Sequence, residues 1–402
     1  MFLVYNEIAS AQMRKKISPY LTANQINLKT PNLKSLFDSA FYQNQVFLLG
    51  ERHGIAYSYD ALWAVFKHLK ERTNFKYYLL EAPLYWEIYL NQYLETGNEK
   101  YLKKPFQEAK GTFYANQNFY EFYQKLYAYN QTLSADDKIR FVSVDIEHQY
   151  KYSHAMLLNI LGESLQNKKD SLPFIKYCFA HDPEKTGEYQ QIYKNYWAEW
   201  QKDSFNLKKH FKGNFLTVNY LIKNINRKFI ANADKKDLAR DSLMYENFKE
   251  RTTGLDIAHR KIFGFMGIDH CYLSTAQNAK YFGAYLQKEA LKTTSIIMLY
   301  SNSETLIPTH YLPKFLRFFY GKKPYFTTKM RSNDRFFERQ KHIDILKDAA
   351  QSNITLFDLN KKDSPFKQQS LFVDDLKTEK PTTDFFQSVV LIRNSPAAVS
   401  LK

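Results

Sequence analysis

Seven short apolar segments recur along the chain, each with the length of a β strand. The run 46–49 is apolar at four consecutive positions, which is typical of a strand buried on both faces of a parallel sheet. Most of the other segments are rich in β-branched or aromatic residues, which strands favour. The predicted strands are 45–50, 77–82, 139–145, 261–267, 295–300, 354–359 and 388–394.

Between these segments the apolar residues follow helical spacing. Within 58–72, Leu62, Val65 and Leu69 recur at intervals of three and four, and aromatic residues do the same within 118–133. Alternation of strands and helices favours an α/β fold. We therefore predict a mixed, mostly parallel central sheet flanked by helices.

Residues 150–250 depart from this alternation. They contain no convincing strand, and their many Tyr, Lys and Asn residues follow a helical pattern. We predict one domain over 1–402, in which 150–250 form a large helical insertion, or lid, packed over the carboxyl edge of the sheet. The Pro, Lys and Asp content of 360–382 predicts a mobile surface excursion.

The composition indicates which classes of partner the chain could bind. Among 402 residues, 57 are Lys or Arg and 41 are Asp or Glu, which gives a net charge of +16, and 17% are aromatic. Such a chain could bind nucleic acid, but its lysines are scattered and show no nucleic-acid motif, so none is expected. The aromatic residues of 150–250 instead predict a small-molecule substrate that is apolar or ring-bearing. The sequence does not determine the oligomeric state.

The cysteines, the hydropathy and the N-terminus bear on the compartment. Cys178 and Cys271 could form at most one disulfide and lack metal-ligand spacing. Because no apolar run reaches about eighteen residues, we expect no membrane span. Residues 9–11 (Ala-Ser-Ala) match a signal-cleavage pattern, but no basic leader precedes them. We expect a cytoplasmic protein, or an exported one if 1–11 are the remnant of a signal peptide.

Titratable side chains follow four successive predicted strands at their carboxyl ends. Charged groups are costly to bury unpaired, so the end of an apolar strand is an informative place for them. The carboxyl ends of parallel strands meet at one edge of a sheet, where α/β proteins keep their sites. We therefore predict a polar crevice at this edge. Its candidate residues are Glu51 and His53, Glu81, Asp145 and His148, and His270 with Asp269 beside it.

These residue types suit general acid–base chemistry. His53 could take a proton from water, Glu51 or Glu81 could orient its ring, and His270 could act as an acid or stabilise an oxyanion. No serine stands in a nucleophile motif, so activated water is favoured over a covalent intermediate. The same four residues could instead ligate a divalent metal whose bound water attacks. Gly50 is expected to end its strand, and Gly50 and Gly54 to allow a tight turn there.

A helical segment, 238–252, adds a cation to the candidates. Arg240, Met244 and Asn247 lie at i, i+4 and i+7, on one helix face. Arg240 could hold a carboxylate of the site or a substrate anion through its planar guanidinium. Alternatively, it could form a structural pair with a nearby acid such as Asp237 or Asp241.

The order of these motifs resembles that of the erythromycin esterase-like family, whose superfamily also contains ChaN-like haem-binding and Tiki-type proteins. The segments that carry the resemblance span nearly the whole chain. They are "LLGERHG", "YYLLEAP", "FVSVDIEH", "ARDSLMYENF", "GFMGIDHCYL" and "SVVLIRNSPAAVSL".

The resemblance implies roles for individual residues. His53 matches the water-activating base beside Glu51, and Glu81 matches the second-strand glutamate. Arg240 and Asp241 match the family's helix, where they would bind substrate or support the site, and His270 matches the histidine after the next strand. Asp145 and His148 are expected to orient other groups rather than to react.

Three functions follow from these residues and from the resemblance. The favoured function is hydrolysis of an ester, lactone or related acyl bond by histidine-activated water, which requires no cofactor. The alternatives are a ChaN-like protein that binds haem or a metal, and a Tiki-like metal-dependent peptidase. In either metal alternative Glu51, His53, Glu81 and His270 are the candidate ligands.

Overall fold

The structure is a computed structural model. It describes residues 2–29, 36–166, 173–181, 183, 187–202, 204–233, 238–277, 279–289, 291–320 and 323–401. The helices, strands and contacts given below lie within these ranges.

An eight-stranded mixed sheet forms the framework. Its strands are β1 (Gln25–Asn27), β2 (Val46–Glu51), β3 (Tyr77–Leu80), β4 (Arg140–Ser143), β5 (Ile262–Gly267), β6 (Thr293–Ser301), β9 (Ile354–Asp358) and β10 (Ser388–Arg393). They lie in the order β1-β9-β10-β6-β2-β5-β3-β4. Strand β2 pairs in parallel with both β5 and β6, and β10 pairs in parallel with β6. The antiparallel pairs are β1 with β9 and β10 with β9. A separate antiparallel hairpin joins β7 (Thr305–Pro308) and β8 (Tyr325–Thr328).

All seven predicted strands are confirmed, with ends that differ by at most two residues. Every position of β2 is buried, as its continuous apolar run predicted. The prediction that Gly50 ends this strand is wrong, because β2 continues through Glu51. Three strands were not predicted, namely the three-residue β1 and the two strands of the β7–β8 hairpin.

Helices connect the strands, so the predicted mixed, mostly parallel α/β fold with a helical insertion is confirmed. The helices predicted over 58–72 and 118–133 are Ala56–Arg72 and Gln117–Gln131. The other helices of at least seven residues are Phe2–Ala23, Leu84–Thr96, Glu99–Glu108, Tyr150–Gln166, Pro173–Ala180, Tyr189–Lys202, Ser204–Phe211, Phe215–Ala233, Leu238–Thr252, Phe282–Lys288 and Ile343–Ala349.

The chain divides into two compact units. The first comprises 1–79, 92–140 and 255–402, and the second comprises 80–91 and 141–254. The predicted insertion 150–250 lies in the second unit, whose described residues after Gln149 are mostly helical. That this unit acts as a lid remains a prediction.

The stretch 360–382 is not a surface excursion, contrary to the prediction from its composition. Phe366, Phe372 and Val373 are at most 2% exposed and belong to an apolar cluster with β9 and β10. Burial of these side chains stabilises the segment by removing apolar surface from water. The stretch also contains short 3-10 turns, such as Pro365–Lys367.

Both cysteines are buried free thiols. None of the helices, over the residues described, has the length and apolar character that crossing a membrane requires.

Candidate functional site

A histidine and a glutamate form a hydrogen-bonded dyad at the end of β2. Glu51 is the last residue of the strand, and its Oε1 contacts Nδ1 of His53 two residues later. A carboxylate can only accept, so Nδ1 carries a proton, and in the neutral imidazole Nε2 then has the lone pair. The Glu51 side chain is 2% exposed, whereas the His53 side chain is 23% exposed. The dyad thus combines a fixed, buried acceptor with a ring that solvent reaches.

The second oxygen of Glu51 lies in a polar but sparsely bonded environment. Oε2 is buried and has no hydrogen-bond partner among the described residues. Burial, and after it the negative charge of Glu51, raises the pKa of both Tyr59 and Tyr300. These phenols therefore stay neutral near the carboxylate. A buried oxygen without a partner is costly and is characteristic of a site where a ligand or proton completes the bonding.

Aromatic residues of the loop before the helix Gln117–Gln131 surround the His53 ring. The Tyr114 hydroxyl lies 3.4 Å from Nε2, and the two rings have centroids 4.9 Å apart. The Phe113 ring centroid is 5.9 Å from that of His53. The His53 ring therefore has both aromatic rings and a hydroxyl group beside it. The sequence analysis did not identify Tyr114, which has no motif and lies 61 residues from His53.

Arg52, between the two members of the dyad, points to other partners. Its guanidinium pairs with Glu338, and its backbone N–H donates to the Tyr300 hydroxyl over 3.1 Å. Arg331 lies in the same unit, where burial, and after it the positive charge of Arg52, lowers its pKa. The structure therefore joins Glu51 to His53 and Arg52 to Glu338.

Two glycines fix the backbone here, for different reasons. Gly54 has a φ of +89°, and an added Cβ would lie 2.4 Å from the carbonyl oxygen of Leu306, so the predicted tight turn is present. Gly50 has no such φ. Instead, a Cβ there would lie 3.0 Å from Cα of Ile268, so Gly50 permits close packing of β2 on the turn that carries His270.

His270 lies in that turn, the 3-10 segment Ile268–Cys271 directly after β5, and is 8% exposed. The parallel register pairs Glu51 with Gly267, the last residue of β5. His270 therefore follows the same edge of the sheet as the dyad, as predicted. Asp269 also lies in the turn, where its carbonyl accepts from the Tyr272 N–H.

In the second unit, Arg240 binds two of the predicted carboxylates. Its Nε and Nη2 donate to Oδ1 and Oδ2 of Asp145 over 3.1 and 2.6 Å. Nη2 also donates to Oε1 of Glu81 over 2.9 Å. Asp145 is fully buried and Glu81 is 7% exposed. Arg240 thus holds site carboxylates, as one hypothesis had it. Of the alternative partners, Asp237 lies outside the described residues.

Asp145 is the centre of this cluster. His148 Nε2 lies 2.6 Å from its Oδ2, and the side-chain amides of Asn224 and Asn247 each donate to its carbonyl over 3.1 Å. Burial alone would raise the pKa of Asp145, but the charges and hydrogen bonds of Arg240 and His148 outweigh it and hold the pKa well below its usual range. Asp145 is therefore held as an ionised carboxylate by Arg240 and His148.

Other ionisable groups of this unit support the cluster. Lys228 donates to the carbonyl of His148 over 2.8 Å, and burial lowers its pKa. Burial raises the pKa of Glu147, which accepts from the Gln149 N–H over 2.7 Å. Asp241 is 8% exposed on the helix Leu238–Thr252.

The second unit also contains an open cavity of about 610 Å³. Its wall is largely aromatic and amide in character, and the Tyr150 and Tyr189 rings in it have centroids 4.6 Å apart. The volume suits a small ring-bearing molecule. The lining residues are Tyr150, Gly187, Glu188, Tyr189, Gln190, Gln191, Phe229 and Asn232.

The proposed metal ligands were also compared with the geometry that a metal requires. Within the described part of the chain, no three His, Cys, Asp or Glu side chains are grouped so that they could hold a metal ion. Glu51 with His53 supplies two such groups in the first unit.

The chain was compared with known proteins. It matches no protein-family model. No curated protein matches it either. Solved structures do match, beginning with a Bacillus cereus protein at a TM-score of 0.67 and 17% identity, over 97% of this chain and 99% of that one. A succinoglycan biosynthesis protein matches at a TM-score of 0.64 and 13% identity, over 97% and 99%.

The erythromycin esterase EreC, as a mutant in its open conformation, matches at a TM-score of 0.60 and 14% identity, over 92% of this chain and 98% of that one. The resemblance seen in the sequence is therefore confirmed at the level of the fold. A fold alone does not determine an activity. The alignment with haem-bound ChaN of Campylobacter jejuni has a TM-score of 0.29 and carries no argument.

Proposed function

We propose that this protein hydrolyses an ester, lactone or related acyl bond with water activated by His53. The observation that carries the proposal is the dyad itself, in which buried Glu51 binds Nδ1 of the partly exposed His53 ring, so that Nε2 can serve as the base. This is the arrangement of a general base with an orienting carboxylate.

In the proposed reaction, Nε2 of His53 removes a proton from water as the water oxygen attacks the acyl carbon. The imidazolium that forms is stabilised by the charge of Glu51. The proton then passes to the leaving oxygen when the carbon–oxygen bond breaks, which restores neutral His53. Tyr114, 3.4 Å from Nε2, is positioned to hold the water or the substrate oxygen by its hydroxyl group.

His270 and the Arg240 cluster receive supporting roles. His270 is proposed to stabilise the oxyanion that develops on the acyl oxygen. In the second unit, Arg240 is proposed to bind a polar group of a ligand, with Glu81 and Asp145 fixing its guanidinium. Asp241 and His148 are proposed to support this cluster.

The fold supports a hydrolase without deciding it. The erythromycin esterase has the same fold and is named for ester hydrolysis, but a protein named for succinoglycan biosynthesis shares that fold too. The proposal therefore depends on the dyad. The substrate is proposed only as an apolar or ring-bearing small molecule, as predicted from the aromatic residues of the sequence.

A panel of activated esters and lactones, assayed with and without a chelator, tests the proposal. We expect turnover of at least one substrate that chelation leaves unchanged. Loss of that turnover on chelation, with a divalent metal found by elemental analysis, would instead support metal-dependent hydrolysis. A Soret band in the absorbance spectrum after haem addition, without turnover of any substrate, would support the binding protein.

A further inference from the structure

The segment between Glu304 and Asp334 has an unusual composition. Its 29 residues, 305–333, include six Lys or Arg and seven aromatic residues, and no Asp or Glu. The β7–β8 hairpin and the chain between its strands make up most of this segment. It belongs entirely to the first unit.

Three phenylalanines of this segment project into solvent. Phe315, Phe318 and Phe319 are 73%, 86% and 78% exposed, and Lys314 and Lys323 are exposed beside them in the sequence. We call these five residues the aromatic patch. Single exposed apolar residues are common, but three large exposed rings within five residues indicate an interaction surface.

Hydrogen bonds between described residues of the segment position the aromatic patch. The Thr309 hydroxyl and N–H donate to the carbonyls of Lys323 and Pro324 over 2.7 and 2.8 Å, which closes the segment at its base. Arg317 donates from Nε to the carbonyl of Leu312 over 2.8 Å. The described residues 309, 312, 317, 323 and 324 are therefore linked by hydrogen bonds on both sides of the phenylalanines.

We propose that the aromatic patch binds the surface of a bilayer that contains anionic lipid. Phenylalanine rings gain free energy when they enter the acyl boundary, and lysines beside them are attracted to anionic headgroups. The absence of acidic residues over 305–333 and the net charge of +16 complement such a surface. The surface is independent of the proposed hydrolytic function.

The ring geometry favours lipid over single-stranded nucleic acid, the other polyanion that combines with aromatic and basic residues. Stacked bases need ring faces that present parallel platforms. Phe318 and Phe319 meet edge to face instead, with ring planes 80° apart and centroids 6.1 Å apart. Such a pair suits insertion into an apolar medium better than stacking.

Vesicle flotation with the full chain tests the proposal. The vesicles would be phosphatidylcholine alone, or phosphatidylcholine with about a third of the lipid replaced by phosphatidylglycerol. We expect binding to the anionic vesicles only, weakened by added salt. The double variant Phe318→Ser/Phe319→Ser should lower the partition coefficient by roughly tenfold or more, and Lys314→Ser by roughly fivefold.

Phe205→Ser is the matched control, because Phe205 is 80% exposed on the helix Ser204–Phe211, outside the patch. It should bind vesicles like the wild type, and circular dichroism should show all variants folded. Equal binding to neutral and anionic vesicles, or no loss in the double variant, would overturn the proposal. So would binding of polyuridylate, or a dimer lost in the double variant, without any vesicle binding.

Discussion

Two buried carboxylates share the guanidinium of Arg240, so this side chain should contribute to stability as well as to the site. Arg240→Gln removes the guanidinium from Asp145 and leaves it the hydrogen bond with His148. We expect the free energy of unfolding at pH 7 to fall by about 3 kcal/mol, the order found when one partner of a buried ion pair is removed. Urea unfolding followed by circular dichroism measures it.

The pH dependence of this loss follows from the lowered pKa of Asp145. A carboxyl with a depressed folded pKa stabilises the fold above its unfolded pKa, about 3.9, and this contribution disappears as the pH falls through the folded value. The difference between wild type and Arg240→Gln should therefore shrink below about pH 4. Lys249→Gln, on the same helix but in an exposed pair with Glu246, is the control and should change little at any pH.

The sequence predicted part of this residue-level arrangement. Glu51 and His53 were identified together because both follow the apolar run 46–49, at the carboxyl end of a predicted strand. The sequence could not choose between a carboxylate of the site and a nearby acid as the partner of Arg240, because Asp145 and Glu81 lie 95 and 159 residues away. Tyr114 was missed because its approach to His53 depends on tertiary packing alone.

At the level of secondary-structure elements, the turn after β2 requires a glycine at position 54. Gly54→Ala would combine a φ of +89° with a Cβ placed 2.4 Å from the Leu306 carbonyl oxygen. We expect a loss of stability of about 2–3 kcal/mol, measured by thermal or urea unfolding. Gly111→Ala is a matched control, since Gly111 has the same φ of +89° but no atom within 4 Å of the added Cβ. Equal losses in the two variants would show that the close contact contributes nothing.

The lid hypothesis for 150–250 leads to a prediction about proteolysis. If this part of the second unit moves to admit substrate, limited proteolysis should cut within it or at its ends, and a bound ligand should protect those cuts. The fragments can be mapped by mass spectrometry with and without a substrate found in the panel. Cleavage that a tight ligand leaves unchanged would argue for a rigid, packed unit.

The strands were more predictable than the connections between them. Buried strands such as β2 and β10 are nearly continuous apolar runs, which the sequence displays directly. The stretch 360–382 was wrongly predicted to be a surface excursion because it is rich in Lys, Asp and Pro. Only a few of its residues, such as Phe366 and Phe372, are large, apolar and buried, and they are spaced apart in the sequence. The β7–β8 hairpin was not predicted because each of its strands has only four residues. Strand β8 is only partly buried, so the pair has little apolar pattern.

The stability of the folded protein as a whole should also depend on Asp358, the last residue of β9. Burial raises its pKa to about 6, so the folded state holds this proton more tightly than the unfolded state does. The free energy of unfolding should therefore fall as the pH rises from about 4 to about 6. Asp358→Asn keeps an oxygen for the Asn360 N–H, which now donates over 2.9 Å.

This variant should abolish that fall and be more stable than the wild type by about 1–3 kcal/mol at pH 7. The measurement is urea unfolding at pH 4.5 and pH 7. Asp136→Asn, at an exposed position, is the control and should follow the wild type. A variant that is less stable than the wild type at pH 7 would show that the carboxylate has a favourable partner.

The central claim is that His53 is the base that activates water, and the turnover of His53→Gln tests it most directly. On a substrate identified in the panel, the account predicts a fall in kcat of roughly 10²–10⁴-fold, the range for loss of a general base. The melting temperature should change little because the ring is partly exposed. Glu338→Gln, which removes the ion pairs of Glu338 with Arg52 and Arg331 and leaves the dyad intact, should keep most of the activity. Near-wild-type turnover by a folded His53→Gln variant would contradict the mechanism.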